Sequence, residues 1–119
     1  MPFVRVKTNR TFEPSAELEL KTRIGEAISL IPGKSEDFLL LTFEDDMHIW
    51  WHGSNEHPVV YIEASAFATE DRKGYPEFTE AVTQAFSEVL QMPAENVYIQ
   101  FSDIPGWSVG GNYIDRSSR

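Results

Sequence analysis

The chain contains no cysteine. That absence excludes disulfides, thiol nucleophiles, thiolate metal sites and CxxC redox chemistry together. Basic residues are scarce, ten Lys and Arg against nineteen Asp and Glu, for a formal charge of −9. A surface this acidic repels phosphate backbones and anionic lipid, which argues against nucleic acid or a membrane surface as partner. Long apolar runs are missing as well. The longest, around Phe38-Leu39-Leu40-Leu41, is strand-sized, far below the ~18–20 residues that span a bilayer. The opening Met1-Pro2-Phe3-Val4-Arg5-Val6-Lys7 lacks the apolar core of a secretory signal. What is present suffices for a core: 41% of residues are hydrophobic and 13% aromatic. At 119 residues there is room for one domain, spanning 1–119. The expectation is a compact acidic domain in the cytoplasm.

Apolar periodicity divides the chain into two similar halves. Phe3–Lys7 alternates apolar and basic residues, the period of a half-buried strand. Ser15 suits a helix N-cap, and Leu20, Ile24, Ala27, Ile28 and Ile31 form one apolar stripe that Pro32-Gly33 ends. Phe38–Phe43 is too uniformly apolar for a one-sided strand and predicts a strand covered on both faces, or nearly so. Met47–Trp51 predicts a short aromatic strand. In the second half Val59–Ala64 reads as a strand, and Pro76 opens a helix striped by Phe78, Val82, Ala85, Phe86 and Val89. Met92-Pro93 ends that helix before a strand at Val97–Phe101, and a turn-rich tail follows. The plan is β-α-β twice, with four strands in one sheet and both helices on one face. The bare face, with Phe43, Trp50 and Trp51 to hide, predicts burial against further copies of the chain.

Most constellations that suggest chemistry dissolve on inspection. His48 and His52 are four apart, but such a pair converges on a metal only in a helix, and their surroundings read as strand. Gly110-Gly111 has no Lys-Ser/Thr after it and reads as a turn rather than a phosphate loop. Ser65 has no histidine at a recognisable triad spacing. Pro2 differs. A small penultimate side chain favours removal of Met1, which leaves a secondary amine at the chain end. An α-amino group ionises near ~7.7–8.0, and an apolar setting lowers that by disfavouring the cation. Such an amine is neutral near pH 7 and can serve as a general base without Cys, His or Ser.

With Met1-Pro2 leading into a strand, the doubled β-α-β plan, and Asn96-Val97-Tyr98-Ile99-Gln100 after a Pro-ended helix, the sequence resembles the tautomerase superfamily. Within it, the macrophage migration inhibitory factor and phenylpyruvate/dopachrome tautomerase family is the match, over roughly Pro2 to Tyr113. Thr8-Asn9, Gly33-Lys34, Pro58, Asp103 and Val109-Gly110 carry the resemblance further. It implies an α+β subunit of pseudo-symmetric β-α-β-β-α-β order, with a four-stranded mixed sheet, assembling as a homotrimeric barrel. It also implies an isomerase that needs no cofactor or metal, a keto–enol tautomerase of phenylpyruvate-like 2-oxo acids with Pro2 as base. Lys34 matches the residue that grips the substrate carboxylate. Ser65, Ala66 and Phe67 match a substrate-facing loop, Tyr98 matches a tyrosine supplied by a neighbouring subunit, Gln100 matches a polar substrate-binding position, and Phe38 and Val109 match pocket walls. Gln100 stands where mammalian members carry asparagine, and Val59-Val60-Tyr61-Ile62 stands where they carry CxxC.

Two other functions stay open on the same residues. One is the superfamily's decarboxylase or hydratase chemistry on small oxo or halo acids, suggested by Trp107-Ser108-Val109-Gly110 but served only by Arg72 where two arginines are usual. The other is a non-catalytic, cytokine-like binding protein.

Overall fold

A computed structural model describes residues 1–118. Its regular elements are β1 (Pro2–Thr8), α1 (Pro14–Ala27), β2 (Leu40–Glu44), β3 (Val60–Phe67), α2 (Tyr75–Val89), β4 (Val97–Ile104), β5 (Gly106–Val109) and β6 (Asn112–Asp115). The first four strands form one sheet in the order β2-β1-β3-β4. β1 runs parallel to β2 and antiparallel to β3, and β3 runs parallel to β4. The palindromic order places the two β-α-β units about the central β1–β3 ladder, where Arg5 faces Glu63. The fold is α+β, a four-stranded mixed sheet with two helices and a separate C-terminal hairpin. Among the described residues no helix is long and apolar enough to cross a membrane.

Alternation in β1 and β3 decides which face receives the helices. Val4, Val6, Val60, Ile62 and Ala64 point to one side and join Leu20, Ile24 and Ala27 of α1 and Phe78, Val82, Ala85 and Phe86 of α2 in a single core. The helices begin where the backbone is set for them. Pro14 opens α1, and α2 starts after Gly74, whose φ of +83° few other residues tolerate. α2 stops before Met92-Pro93. Gln91 turns left-handed (φ +55°), and the Met92 N–H donates to the Ser87 carbonyl at 3.1 Å, closing the helix as a Schellman cap. Thr8 and Asn9, at the end of β1, hold the approach to β3. The buried Thr8 hydroxyl donates to the Val59 carbonyl at 2.7 Å, and the Asn9 side chain accepts from the Val59 N–H and donates to the His57 carbonyl.

Four expectations need correction. Ser15 lies inside α1, whose N-cap is Glu13. β2 is an edge strand, half-exposed in the single chain rather than covered on both faces, with Leu40 59% exposed. Phe43 does not need hiding, since its ring meets Phe12 edge-to-face at 5.3 Å. Met47–Trp51 is not a strand. Asp46 (φ +54°) turns the chain out of line, and the segment finds no neighbouring strand to pair with inside one chain. The turn-rich tail holds the β5–β6 hairpin, closed by Gly110-Gly111 with φ of +62° and +84°, the signs a type I′ turn requires. The bare sheet face is ionic as well as aromatic: Arg5 meets Glu44 at 2.7 Å and Lys7 meets Glu63 at 3.0 Å. The guanidinium hydrogen bond holds the Glu44 carboxyl below its ordinary range and pushes Arg5 up.

Candidate active site

The start of β1, the end of β3 and the loop after α1 meet at one end of the sheet. Pro2 is buried there, in register with Ala66 of β3, which in turn faces Asp103 of β4. Lys34 follows Pro32-Gly33, where its N–H is tied to the Ile31 carbonyl at 3.1 Å. From that turn its ammonium reaches the Phe67 carbonyl at 2.6 Å. The Phe67 N–H donates to the Met1 carbonyl at 3.2 Å. The Met1 amine at the chain end is held down from 8.0 to about 6, chiefly by burial and then by the charge and hydrogen bond of Lys34. A chain-end amine at this place is therefore mostly neutral at pH 7 and lies beside a fixed cation.

Ser65, Ala66 and Phe67 are the last residues of β3 rather than a loop. Phe67 is buried, lying outside the main core cluster, and the chain leaves it through a left-handed Ala68 (φ +60°). Asp103 anchors that exit. Its carboxylate accepts the Thr69 N–H at 2.8 Å and pairs with Arg116, while the Thr69 hydroxyl meets the Tyr75 hydroxyl at 2.6 Å. Sequence reasoning singled out Asp103 without giving it this work, and it missed Thr69, Tyr75 and Arg116, whose convergence spans three elements. Phe38 lies two residues before Leu40, the partner of Phe3, at this same end and is 70% exposed. Val109 is exposed at the tip of the hairpin that leaves β4. Arg72 lies on the exposed loop before α2.

Tyr98 and Gln100 are not part of this group. The row that holds Pro2 ends at Asp103, whereas Tyr98 shares its row with Tyr61 and Lys7. Five residues of β4, from 98 to 103, separate the rows, a distance of roughly 16 Å at ~3.3 Å per residue. Tyr98 and Gln100 each have an aromatic neighbour instead. The Trp51 indole N–H donates to the Tyr98 hydroxyl at 3.1 Å, and the Tyr61 hydroxyl donates to the Gln100 side-chain oxygen. Beside Tyr98 an apolar cavity of about 290 Å³ is lined by Ile49, Trp50, Trp51 and Tyr61 among others. Among the described residues, no three His, Asp or Glu side chains converge as metal ligands would.

Known proteins share this architecture. The chain is 26% identical over 112 residues to the MIF-like protein mif-2 of Caenorhabditis elegans, covering 94% of this chain and 92% of that one. Leishmania major MIF2 superposes with a TM-score of 0.83 at 22% identity, over 96% of this chain and 97% of that one. A fused 4-OT protein solved as a symmetric trimer gives 0.82 at 17% identity, over 98% and 97%. The family described as Macrophage migration inhibitory factor (MIF) matches residues 1–114, which takes in both β-α-β units and nearly all of the hairpin. With Pro2, Lys34 and the end of β3 gathered as above, the chain belongs to the macrophage migration inhibitory factor family.

Proposed function

We propose that residues 1–119 act as one domain, an isomerase that interconverts the keto and enol forms of phenylpyruvate-like 2-oxo acids. The observation that carries this is the buried chain end beside Lys34, a setting that holds the Met1 amine down at about 6 and disfavours the cation of a Pro2 amine for the same reasons. While Met1 is attached, the Pro2 nitrogen is a tertiary amide without basicity. Trimming Met1 makes it a secondary amine, and it also releases the Phe67 N–H from the Met1 carbonyl. The Lys34 ammonium then pairs with the substrate carboxylate. Neutral Pro2 takes a proton from the carbon next to the carbonyl, and the electron pair moves onto the carbonyl oxygen. The Phe67 N–H donates toward substrate oxygen, and the protonated Pro2 nitrogen delivers its proton to the new enolate oxygen. One proton leaves carbon and one reaches oxygen, so the scheme calls on no cofactor. The acidic, cysteine-free composition fits a cytoplasmic setting and gives no support to nucleic acid or membrane as partner.

Lys34→Ala should raise KM for the charged 2-oxo acid by roughly ten- to a hundredfold, the scale set by a charge-assisted hydrogen bond of ~1.5–3 kcal/mol. Initial rates on phenylpyruvate and on its methyl ester test this. An equal loss on the uncharged ester would make Lys34 a structural residue and remove it from the scheme.

The site is proposed to be shared within a homotrimer. Tyr98 is too far along β4 to meet its own Pro2, so a pocket that uses it draws it from a neighbouring copy. The half-exposed edge strand and the trimeric fused 4-OT relative support this assembly. Light scattering at micromolar concentration should return about three times 13.6 kDa. A monomer alone would overturn the shared site.

A further inference from the structure

We propose that Trp51 is a positioning residue, whose indole N–H fixes the Tyr98 hydroxyl in the orientation it presents to the neighbouring subunit's site. The proposal rests on the shared-site reading above. Tyr98 is 45% exposed on the open sheet face, so packing alone leaves its ring free to change rotamer. The 3.1 Å contact from Trp51 Nε1 supplies a direction.

Trp51 can do this because it is rigid. Its N–H donates to the Ser54 carbonyl at 2.7 Å and its carbonyl accepts the Ser54 N–H at 3.0 Å. His52 and Gly53 between them have φ of +53° and +83°, so the four residues close a tight primed turn. The indole stacks on the His52 ring at 4.0 Å and 15° and takes the His57 ring edge-on at 5.4 Å. The indole ring and the backbone of Trp51 are thus committed before Tyr98 is reached. An indole nitrogen donates and cannot accept, so the contact leaves the Tyr98 hydroxyl's own proton for another acceptor. That acceptor is a substrate oxygen in the neighbouring site.

The test compares Trp51→Phe, Tyr98→Phe and the double variant in protein freed of Met1. Phenylalanine keeps a ring against His52 and removes only the donor. Trp51→Phe should lower kcat/KM roughly five- to tenfold. The double variant should match Tyr98→Phe alone, because a residue acting only through the Tyr98 hydroxyl has nothing left to position. Losses that multiply, or a Trp51→Phe protein at the parent rate, would overturn the proposal and leave the shared site standing. Tyr98→Phe at the parent rate would overturn both. A second readout does not depend on activity. The Trp51 indole proton resonance, identified by its disappearance in Trp51→Phe, should move upfield and exchange faster in Tyr98→Phe. An unchanged resonance would refute the contact itself.

Discussion

Protein that keeps Met1 should tautomerise phenylpyruvate roughly 10²–10⁴-fold more slowly than protein from which it has been removed, the usual contribution of a placed general base. Intact mass assigns each preparation to one form, and a bulky residue inserted between Met1 and Pro2 supplies a chain that cannot be trimmed. The processed form should also show a distinctive pH profile. Burial and the Lys34 charge both disfavour the cation at this chain end, as they do for the Met1 amine, which they hold down at about 6. A protonated nitrogen cannot accept a proton from carbon. The same burial and charge act on a Pro2 amine, so the rate should rise with pH through an ionisation below the ordinary α-amino range and level off above it. The methionine-bearing form lacks a basic Pro2 nitrogen and should have no such limb. If it turned over phenylpyruvate as fast as the processed form, Pro2 would not be the base.

Gly74→Ala should cost about 2–5 kcal/mol of stability, from left-handed backbone at ~1–2 kcal/mol together with overpacking at ~1–3 kcal/mol. Gly74 has a φ of +83°, and a Cβ there would lie 2.2 Å from the Leu30 carbonyl oxygen and 2.7 Å from the Ile31 Cα. Both contacts are backbone, so relief requires moving the connection between α1 and β2. That connection holds Lys34 through the Ile31 carbonyl, so activity should fall along with stability. Gly111→Ala provides the comparison. Its φ is +84°, but nothing lies within 4 Å, so only the backbone cost of ~1–2 kcal/mol applies. Urea unfolding of the two variants separates the terms. Equal losses would show that the close approach of α2 to the end of α1 carries no energetic weight.

Gly74 also marks a limit of sequence reading. Between Thr69 and Pro76 it reads as one loop residue among several, because nothing local announces that the end of α1 passes against it. The elements themselves follow from local pattern. Alternation in Phe3–Lys7 and Val59–Ala64 and the stripes Leu20–Ile31 and Phe78–Val89 each lie within a few turns of chain, and each gave the right element with ends off by a few residues. Where the pattern needed a partner it misled. Met47–Trp51 has strand composition, but a strand exists only when another backbone lies alongside it, and inside one chain none does. Phe38–Phe43 reads as doubly covered for a similar reason, since composition records that a segment is apolar and not whether another element lies over it.

The candidate site divides in the same way. Pro2 is suggestive in the sequence because its chemistry is intrinsic, an amine after a removable methionine, whereas Lys34, a cation past a helix end, stands out only through the family resemblance. Their proximity is a matter of register. Pro2 pairs with Ala66 and Lys34 reaches Phe67 only because β1 and β3 run antiparallel with Arg5 opposite Glu63. The same register carries Tyr98 to the far end of β4 and brings Trp51, 47 positions earlier in the chain, against its hydroxyl. Side-chain periodicity is a property of neighbours along the chain and survives in the bare sequence. Distances between strands, and the burial that lowers the chain-end amine, arise only when separate segments pack together.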